Sequence, residues 1–229
     1  TRENPVKVEV GEGDHEMVGV AAAAFYAGQL THVNCGNISI VGKGKGKTTI
    51  LGGFYVIDKQ NVTIEHLDVT NDAGFGLVCQ GSGTNVDVME CCFQKCSIRG
   101  MGVTNDATVT ATRCDFMENG EFGVACTGAN TKVRLNDSTM HHNGWDGLYA
   151  DDHAVVDLHG TKTDIHSNKQ DGISATENGK VNIHLPSQHN TSHDNLDDNR
   201  AQQSGGSLAN INADGTFTHV EEVEIDDDY

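Results

Sequence analysis

A hydrophobic pattern with a period of about 24 residues runs through most of the chain, and it restricts the possible folds more than any other feature. Each repeat opens with two apolar residues that are separated by one polar position. Because the side chains of a β-strand alternate between its two faces, this spacing predicts a short strand with both apolar residues pointing inward. The pairs are Val62/Ile64, Val86/Val88, Val109/Ala111, Val133/Leu135, Val156/Leu158 and Val181/Ile183.

Further columns in each repeat predict two more strands. The second strand centres on a large apolar residue, in the order Val69, Phe93, Phe116, Met140 and Ile165. A column three residues later is assigned to Asp72, Cys96, Asn119, Asn143 and Asn168. We expect its asparagines to hydrogen-bond from one coil to the next, as stacked amides do in other in-register parallel sheets. The third strand follows a glycine column, assigned to Gly76, Gly102, Gly123, Gly147 and Gly172.

Three short strands that close on themselves in every repeat predict an all-β chain, folded as a single parallel β-helix of about seven coils with capped ends. The repeats are placed at residues 36–206. Residues 1–35 are assigned to an N-terminal cap and first coil, and residues 207–229 to C-terminal strands and an acidic tail. The Ala-rich run within residues 15–30 is expected to form a capping helix or an irregular first coil.

The segments "FMENGEFGV", "MHHNGWDGLY" and "IHSNKQDGIS" resemble the repeats of the pectin-lyase-like superfamily, above all its right-handed parallel β-helix modules of carbohydrate-binding and sugar-hydrolase type. The resemblance implies a right-handed coil. The superfamily includes polysaccharide lyases, mannuronan epimerases, periplasmic copper-accessory proteins and some F-box substrate receptors. The resemblance therefore indicates the fold and leaves the function open.

The catalytic motifs that this resemblance would imply are incomplete. Of the motifs typical of galacturonan hydrolases, only Asp151-Asp152 is present. The Asp-Pro-His element of mannuronan epimerases is missing, since Pro5 and Pro186 lie in other contexts. No lyase motif surrounds the candidate basic residues, which are Arg99, Arg113, Lys132 and Arg134.

The densest polar cluster is "HHNGWDGLYADDH", residues 141–153, which contains the single tryptophan of the chain. Aromatic rings beside carboxylates suit a sugar, because a ring packs on the apolar face of a pyranose while the acids accept its hydroxyl groups. The predicted ligand-binding residues are Trp145, Asp146, Tyr149 and His153. In a glycoside hydrolase, paired carboxylates serve as acid and base; the catalytic candidates are Asp146, Asp151 and Asp152. The structural alternative is that Trp145 only covers Phe122 and Phe75.

Histidines near the end of the repeats raise the question of a metal site. His184, His189 and His193 lie close in sequence, with acids at Asp194, Asp197 and Asp198 and with His166 one coil earlier. Imidazole and carboxylate suit copper or zinc. Spacings of four and five residues do not by themselves bring three ligands together on a solenoid, so neither a metal nor a cofactor is predicted.

Charge and spacing argue against several other classes of ligand. The net charge of −18, from 33 acids and 15 bases, disfavours nucleic acid and anionic membrane surfaces. The stretch "GKGKGKTT" resembles a phosphate-binding loop, but that motif needs glycine at position 41, which is Val41. We therefore predict a basic turn between strands and no bound nucleotide. The seven cysteines contain no Cys-x-x-Cys pair and are expected to be reduced and mostly buried; the compartment stays open.

The sequence thus predicts a non-catalytic recognition module that binds a glycan or a protein partner along one face of the solenoid. The expected face carries the glycine turn and the third strand, centred on Trp145 and Tyr149. The alternative is a polysaccharide-active enzyme, such as a lyase, epimerase or glycoside hydrolase, with its acids in residues 146–153.

Overall fold

The structure is a computed structural model that describes residues 4–16, 30–184 and 191–219. The regular elements of this part of the chain are β-strands in three parallel sheets, and successive strands along the chain pass from the first sheet to the second and then to the third. The predicted all-β parallel solenoid of about seven coils is confirmed, since eight strands in the second and third sheets give seven steps from coil to coil.

Each sheet collects the equivalent strand of every coil. The first sheet consists of β1 (Val6–Glu9), β4 (Ile38–Val41), β7 (Val62–Glu65), β10 (Asn85–Met89), β13 (Thr108–Thr112), β16 (Lys132–Asn136), β19 (Val155–His159), β22 (Lys180–His184), β25 (Ser207–Ile211) and β26 (Phe217–His219). The second consists of β2 (Gly13–Glu16), β5 (Thr48–Leu51), β8 (Asp68–Thr70), β11 (Cys92–Gln94), β14 (Asp115–Met117), β17 (Thr139–His141), β20 (Asp164–His166) and β23 (Ser192–His193). The third consists of β3 (Leu30–His32), β6 (Gly53–Ile57), β9 (Leu77–Gln80), β12 (Met101–Thr104), β15 (Val124–Thr127), β18 (Leu148–Asp151), β21 (Ile173–Ala175) and β24 (Arg200–Gln202).

The core is a narrow column filled by the same residue types in coil after coil. The apolar pairs of the first strand stack in the predicted register, for example Val86 between Val62 and Val109. In the second sheet the rings of Phe93 and Phe116 stack with their centroids 5.3 Å apart. All seven cysteines are free, and all but Cys35 are buried, as expected. Burial raises the pKa of the buried thiols, so these residues act as small apolar side chains.

A ladder of asparagine side chains, buried at Asn119, Asn143 and Asn168 and half-buried at Asn195, runs beside the second sheet. The side-chain amide of Asn119 donates to Asn143 (3.0 Å), Asn143 donates to Asn168 (2.9 Å), and Asn168 donates to Asn195 (2.9 Å). The predicted ladder is confirmed at these rungs. Asp72, which the sequence assigned to the same column, is exposed instead, and its neighbour Asn71 is the buried residue.

The third strand departs from the predicted register in one coil. Met101 pairs with Leu77 and Val124, so the turn glycine of this coil is Gly100 and not Gly102. A β-carbon on Gly100 would lie 2.7 Å from the carbonyl oxygen of Gly123 and 2.8 Å from Nδ2 of Asn119. The column requires glycine because the asparagine ladder and the next coil leave no room for a side chain.

The basic turn of residues 42–47 lies across the second sheet as a strap. The backbone N–H of Gly46 donates to Asp68 in the next coil (2.9 Å). Lys45 Nζ reaches farther and donates to Asp115 Oδ2 (2.8 Å) and to the carbonyl oxygen of Arg113 (2.7 Å). Lys45 is used to link coils, in agreement with the predicted turn between strands.

The ends of the solenoid differ. β1 and β2 pair with β4 and β5, whereas the Ala-rich run at 17–29 lies outside the described residues. At the other end, β26 pairs antiparallel with β25 and covers the edge of the first sheet. In the described ranges, no helix is both long and apolar enough to span a membrane.

Candidate functional site

A groove follows the outer face of the third sheet across several coils. Its floor is a register column of outward residues, in which Val78, Gly102, Ala125 and Tyr149 lie side by side on β9, β12, β15 and β18. Gly102 and Ala125 are small, so the floor is low in the middle and rises at Tyr149. Because strand neighbours in a sheet are about 4.8 Å apart, these positions form a continuous track along the solenoid axis.

The wall of the groove is built from the residues that precede the turn glycines. In three successive coils these are Phe75, Arg99 and Phe122. The Arg99 guanidinium lies 5.7 Å from the ring centroid of Phe75 and 5.0 Å from that of Phe122. Its Nε also donates to Glu121 Oε2 (3.1 Å). The two rings and the ion pair hold Arg99 in one position with its charge facing the groove.

Two aromatic side chains pack on Phe122 and complete the aromatic surface. The Tyr149 ring stacks on it with centroids 4.7 Å apart, and Trp145 meets it edge-on at 5.1 Å. The structural alternative for Trp145 is therefore correct as far as its contact with Phe122 goes. Trp145 nevertheless remains 41% exposed, which leaves part of the indole free to contact a ligand.

Beyond Phe122, the column before the glycine changes from aromatic to acidic. Asp146 is 5% exposed, and its Oδ1 accepts the backbone N–H of Asp171 (3.0 Å). Asp171 in turn accepts the backbone N–H of Asp198 (3.0 Å). Burial raises the pKa of Asp146 to about 7, and the charges of Asp171 and Asp197 add to the effect, against the hydrogen bond from Asp171. Asp146 can thus exchange a proton near neutral pH.

Asp151 is tied to Tyr149 through a neighbouring hydroxyl. Thr176 Oγ1 lies 3.1 Å from Tyr149 Oη and 2.9 Å from Asp151 Oδ1. A hydroxyl group carries only one proton, so both contacts are satisfied when Tyr149 donates to Thr176 and Thr176 donates to Asp151. Burial raises the pKa of Tyr149, which keeps the phenol protonated and able to donate.

These side chains surround an open cavity of about 520 Å³ on the acidic side of Phe122. Its lining includes Arg99, Phe122, Trp145, Asp146, Tyr149 and Asp151. A smaller cavity of about 180 Å³ shares Arg99 and continues over Gly102 and Ala125 to Phe75. The two cavities make one groove, about as large as the sites that hold small ligands.

Four of the predicted site residues come together in this groove, and two do not. Trp145, Asp146, Tyr149 and Asp151 line it. Asp152 and His153 lie on the exposed turn after β18, where His153 Nδ1 is 3.2 Å from Asp152 Oδ1.

Sequence reasoning did not place Arg99 in the lining of this groove and considered it only as a lyase base. The signal was its position before the turn glycine, and the misassignment of that glycine to Gly102 concealed it.

The histidines near the end of the repeats separate in the structure. His193 lies between Asp164 (3.0 Å) and Asp194 (2.9 Å) beside the second sheet. His184 is on the first sheet, and His189 lies outside the described residues. The three histidines considered from sequence spacing therefore do not form one described cluster.

Comparison with known proteins identifies the coil architecture. The family model described as "Right handed beta helix region" matches residues 48–195. A solved structure of Geobacillus virus E2 ORF18 superimposes with a TM-score of 0.53 at 10% identity, covering 90% of this chain and 53% of that chain. The A-module of Azotobacter vinelandii mannuronan C-5 epimerase AlgE4 superimposes with a TM-score of 0.51 at 14% identity, covering 94% of this chain and 76% of that one. The chain thus spans about half the length of the viral protein, and no curated protein matches its sequence. At these identities the structural likeness concerns the fold alone.

Proposed function

The chain belongs to the family of right-handed β-helix proteins, and from this premise we propose that it binds a linear polysaccharide, without cleaving it, in the groove of the third sheet. The observation that carries the proposal is the exposed Trp145 beside Tyr149, both held on Phe122 above an open track. Aromatic rings of this kind contact the apolar faces of sugar rings, while Asp151 and Arg99 offer an acceptor and a donor for hydroxyl groups.

The shape of the groove supports a chain-like ligand over a compact one. Equivalent positions recur from coil to coil along the axis, so a polymer that lies parallel to the axis meets similar groups at each step. The low floor at Gly102 and Ala125 gives room for the polymer to continue past the aromatic residues.

Charge supports a neutral polysaccharide over a polyanionic one. The chain carries a net charge of −18, and Asp146 and Asp151 both line the groove. Arg99 is the cation of this site, and it is paired with Glu121. The field around such a surface repels a polyuronate or a sulfated glycan.

Tryptophan fluorescence provides a direct test, because Trp145 is the only tryptophan in the sequence. We expect neutral polysaccharides to change its emission on titration. Calorimetry with Trp145→Ala and Tyr149→Ala should show affinity lowered by about 10-fold or more, equivalent to about 1.4 kcal/mol for each lost platform. Arg134→Ala, on the first sheet, is the matched control and should bind as the unmodified protein does.

Unchanged affinity in both aromatic variants would place the ligand elsewhere. A failure of every polysaccharide to bind, with capture of a protein through the same residues, would replace the glycan by a protein partner.

A specific observation favours one second candidate, a polysaccharide-active enzyme. The pKa of Asp146 is raised to about 7 in a groove that also contains Asp151, and a carboxyl group with such a pKa suits proton transfer at neutral pH. Incubation with alginate, pectate and neutral glycans, followed by assay of reducing ends and of unsaturated products, distinguishes the candidates. Turnover that Asp146→Asn or Asp151→Asn abolishes would establish the enzyme; binding without turnover supports recognition.

A further inference from the structure

Two histidines and an aspartate meet on the outer face of the first sheet, away from the aromatic groove of the third sheet. On β19, Asp157 and His159 are two positions apart and point to the same side of the strand. The pairing of Asp157 with Asn182 and of Leu158 with Ile183 places His184 of β22 directly beside His159. The pairing of strands from two successive coils thus brings together three residues whose spacing in the sequence does not predict a cluster.

The three side chains are close enough to share one ion. The imidazole rings of His159 and His184 are stacked with their centroids 3.9 Å apart, and His184 Nε2 lies 3.0 Å from Asp157 Oδ1. One ligand atom from each of the three residues can be chosen so that all lie within 4.8 Å of one another. Since zinc–ligand bonds are about 2.0–2.2 Å long, two ligands of one ion are at most about 4 Å apart. The two stacked rings must therefore rotate toward a common point to complete the set.

The surroundings hold the carboxylate in place. Asn182 Nδ2 donates to Asp157 Oδ1 (3.0 Å), which fixes the oxygen that faces His184. On the other side of Asp157 is Arg134, whose Nε donates to Asn136 Oδ1 (3.1 Å) and so lies along its own strand. Arg134 repels a metal ion, but the net charge of −18 on the whole chain attracts it and offsets that repulsion.

We propose that Asp157, His159 and His184 bind a divalent ion of the late first transition series, either zinc or copper. Two imidazoles and one carboxylate match the preferences of these ions, whereas calcium and magnesium prefer sets made of oxygen ligands. The three residues are half-buried, which leaves the remaining coordination positions to water or to a ligand from outside. The ion joins two coils of the first sheet, so this site is independent of the groove on the third.

Isothermal titration calorimetry with zinc chloride tests the site on the whole chain. We expect one zinc ion to bind, and His159→Ala or His184→Ala to weaken it by more than about 10-fold, because the loss of a supporting residue alone costs about 10–100-fold. His66→Ala is the matched control, since His66 contacts Glu65 and Glu90 but belongs to no group of three such ligands among the described residues. Its affinity for zinc should not change.

A second set of histidines provides the competing explanation. His141, His166 and His193 stack along the second sheet, with His142 beside His141. If zinc affinity falls in a His141→Ala/His142→Ala variant and not in the His159 or His184 variants, the proposal is wrong. Absence of zinc and copper binding in the unmodified protein would also overturn it. Two results would support the proposal. Electron paramagnetic resonance spectra of the copper-bound protein should show two nitrogen ligands. Zinc should raise the unfolding temperature of the unmodified protein but not that of His184→Ala.

Discussion

The outer faces of the first and third sheets rest on the same coils but differ in chemistry. Along the first sheet, the outward column from β7 to β22 is polar at every position, in the order Thr63, Asp87, Thr110, Arg134, Asp157 and Asn182. Along the third, the column of Val78, Gly102, Ala125 and Tyr149 forms a groove under an aromatic wall. The interior must fill the same cross-section in every coil, whereas the exterior is free to vary. Binding sites are therefore expected where the outward residues of one coil differ in type from those of the neighbouring coils.

Removing a rung of the asparagine ladder should destabilise the coils that carry both faces, because Asn143 pairs with the coil before it and with the coil after it. Asn143 is fully buried; its amide donates to Asn168 and to the carbonyl of Phe116, and its oxygen accepts from Asn119. Asn143→Ala leaves several of these groups unpaired, and we expect a loss of about 3–6 kcal/mol in the free energy of unfolding. Urea denaturation measures it. Asn136→Ala, in a half-buried outward position, is the control and should cost less than about 1 kcal/mol. Equal losses would show that the ladder is not the common support.

Replacing Asp146, which lies on the side of the third sheet, by a neutral residue should raise the free energy of unfolding of the protein at alkaline pH. The folded pKa of about 7 lies above that of a free aspartate, about 3.9, so the folded state binds more protons between these values and stability falls as pH rises through them. Asp146→Asn keeps the acceptor for Asp171 and should gain up to about 4 kcal/mol at pH 8, but little at pH 4.

Unfolding by urea at both pH values tests this prediction. Asp152→Asn removes an exposed carboxyl group and controls for the loss of one negative charge. An equal effect of both variants would point to general charge repulsion in place of burial.

Gly100 and Gly102, two positions apart, allow the stability of the scaffold and binding in the groove to be tested separately. A β-carbon on Gly102 would be 3.7 Å from the Phe75 ring, an ordinary contact, whereas one on Gly100 collides with Gly123 and Asn119. Gly102→Leu should therefore leave stability within about 1 kcal/mol but fill the groove and reduce polysaccharide binding by about 10-fold or more. Gly100→Ala should lower stability by about 1–3 kcal/mol. If Gly102→Leu binds normally, the ligand does not lie along this floor.

The smallest effect is expected at His153. It was a predicted ligand-binding residue, but it lies on the exposed turn beside Asp152, outside the groove lining. His153→Ala should change polysaccharide affinity by less than about 2-fold, equivalent to about 0.4 kcal/mol. A larger loss in calorimetry would extend the binding surface beyond β18.

The sequence was most informative about the interior, for a physical reason. Pairs such as Val86/Val88 recur because each coil buries the same volume, and their register was predicted correctly. The prediction misplaced the third strand in one coil because Gly100 and Gly102 both fit a glycine column in the sequence. Only the contacts of the turn distinguish the two glycines. Most outer positions vary from coil to coil, so the meeting of His159 with His184, or of Arg99 with Phe122, required the register of the folded chain.

The strap formed by residues 42–47 affects how the solenoid comes apart. In an ideal repeat array each coil touches only its neighbours, so the array can unravel from one end like a zipper, one unit at a time. Lys45 instead binds Asp115, 70 positions along the chain and three coils away. Both side chains are about one-third exposed, and the pair contributes about 1 kcal/mol or less. Even so, force applied to the N-terminal end must break the Lys45–Asp115 contact before the coils between these two residues can unfold one at a time. Until then, these coils resist the force together.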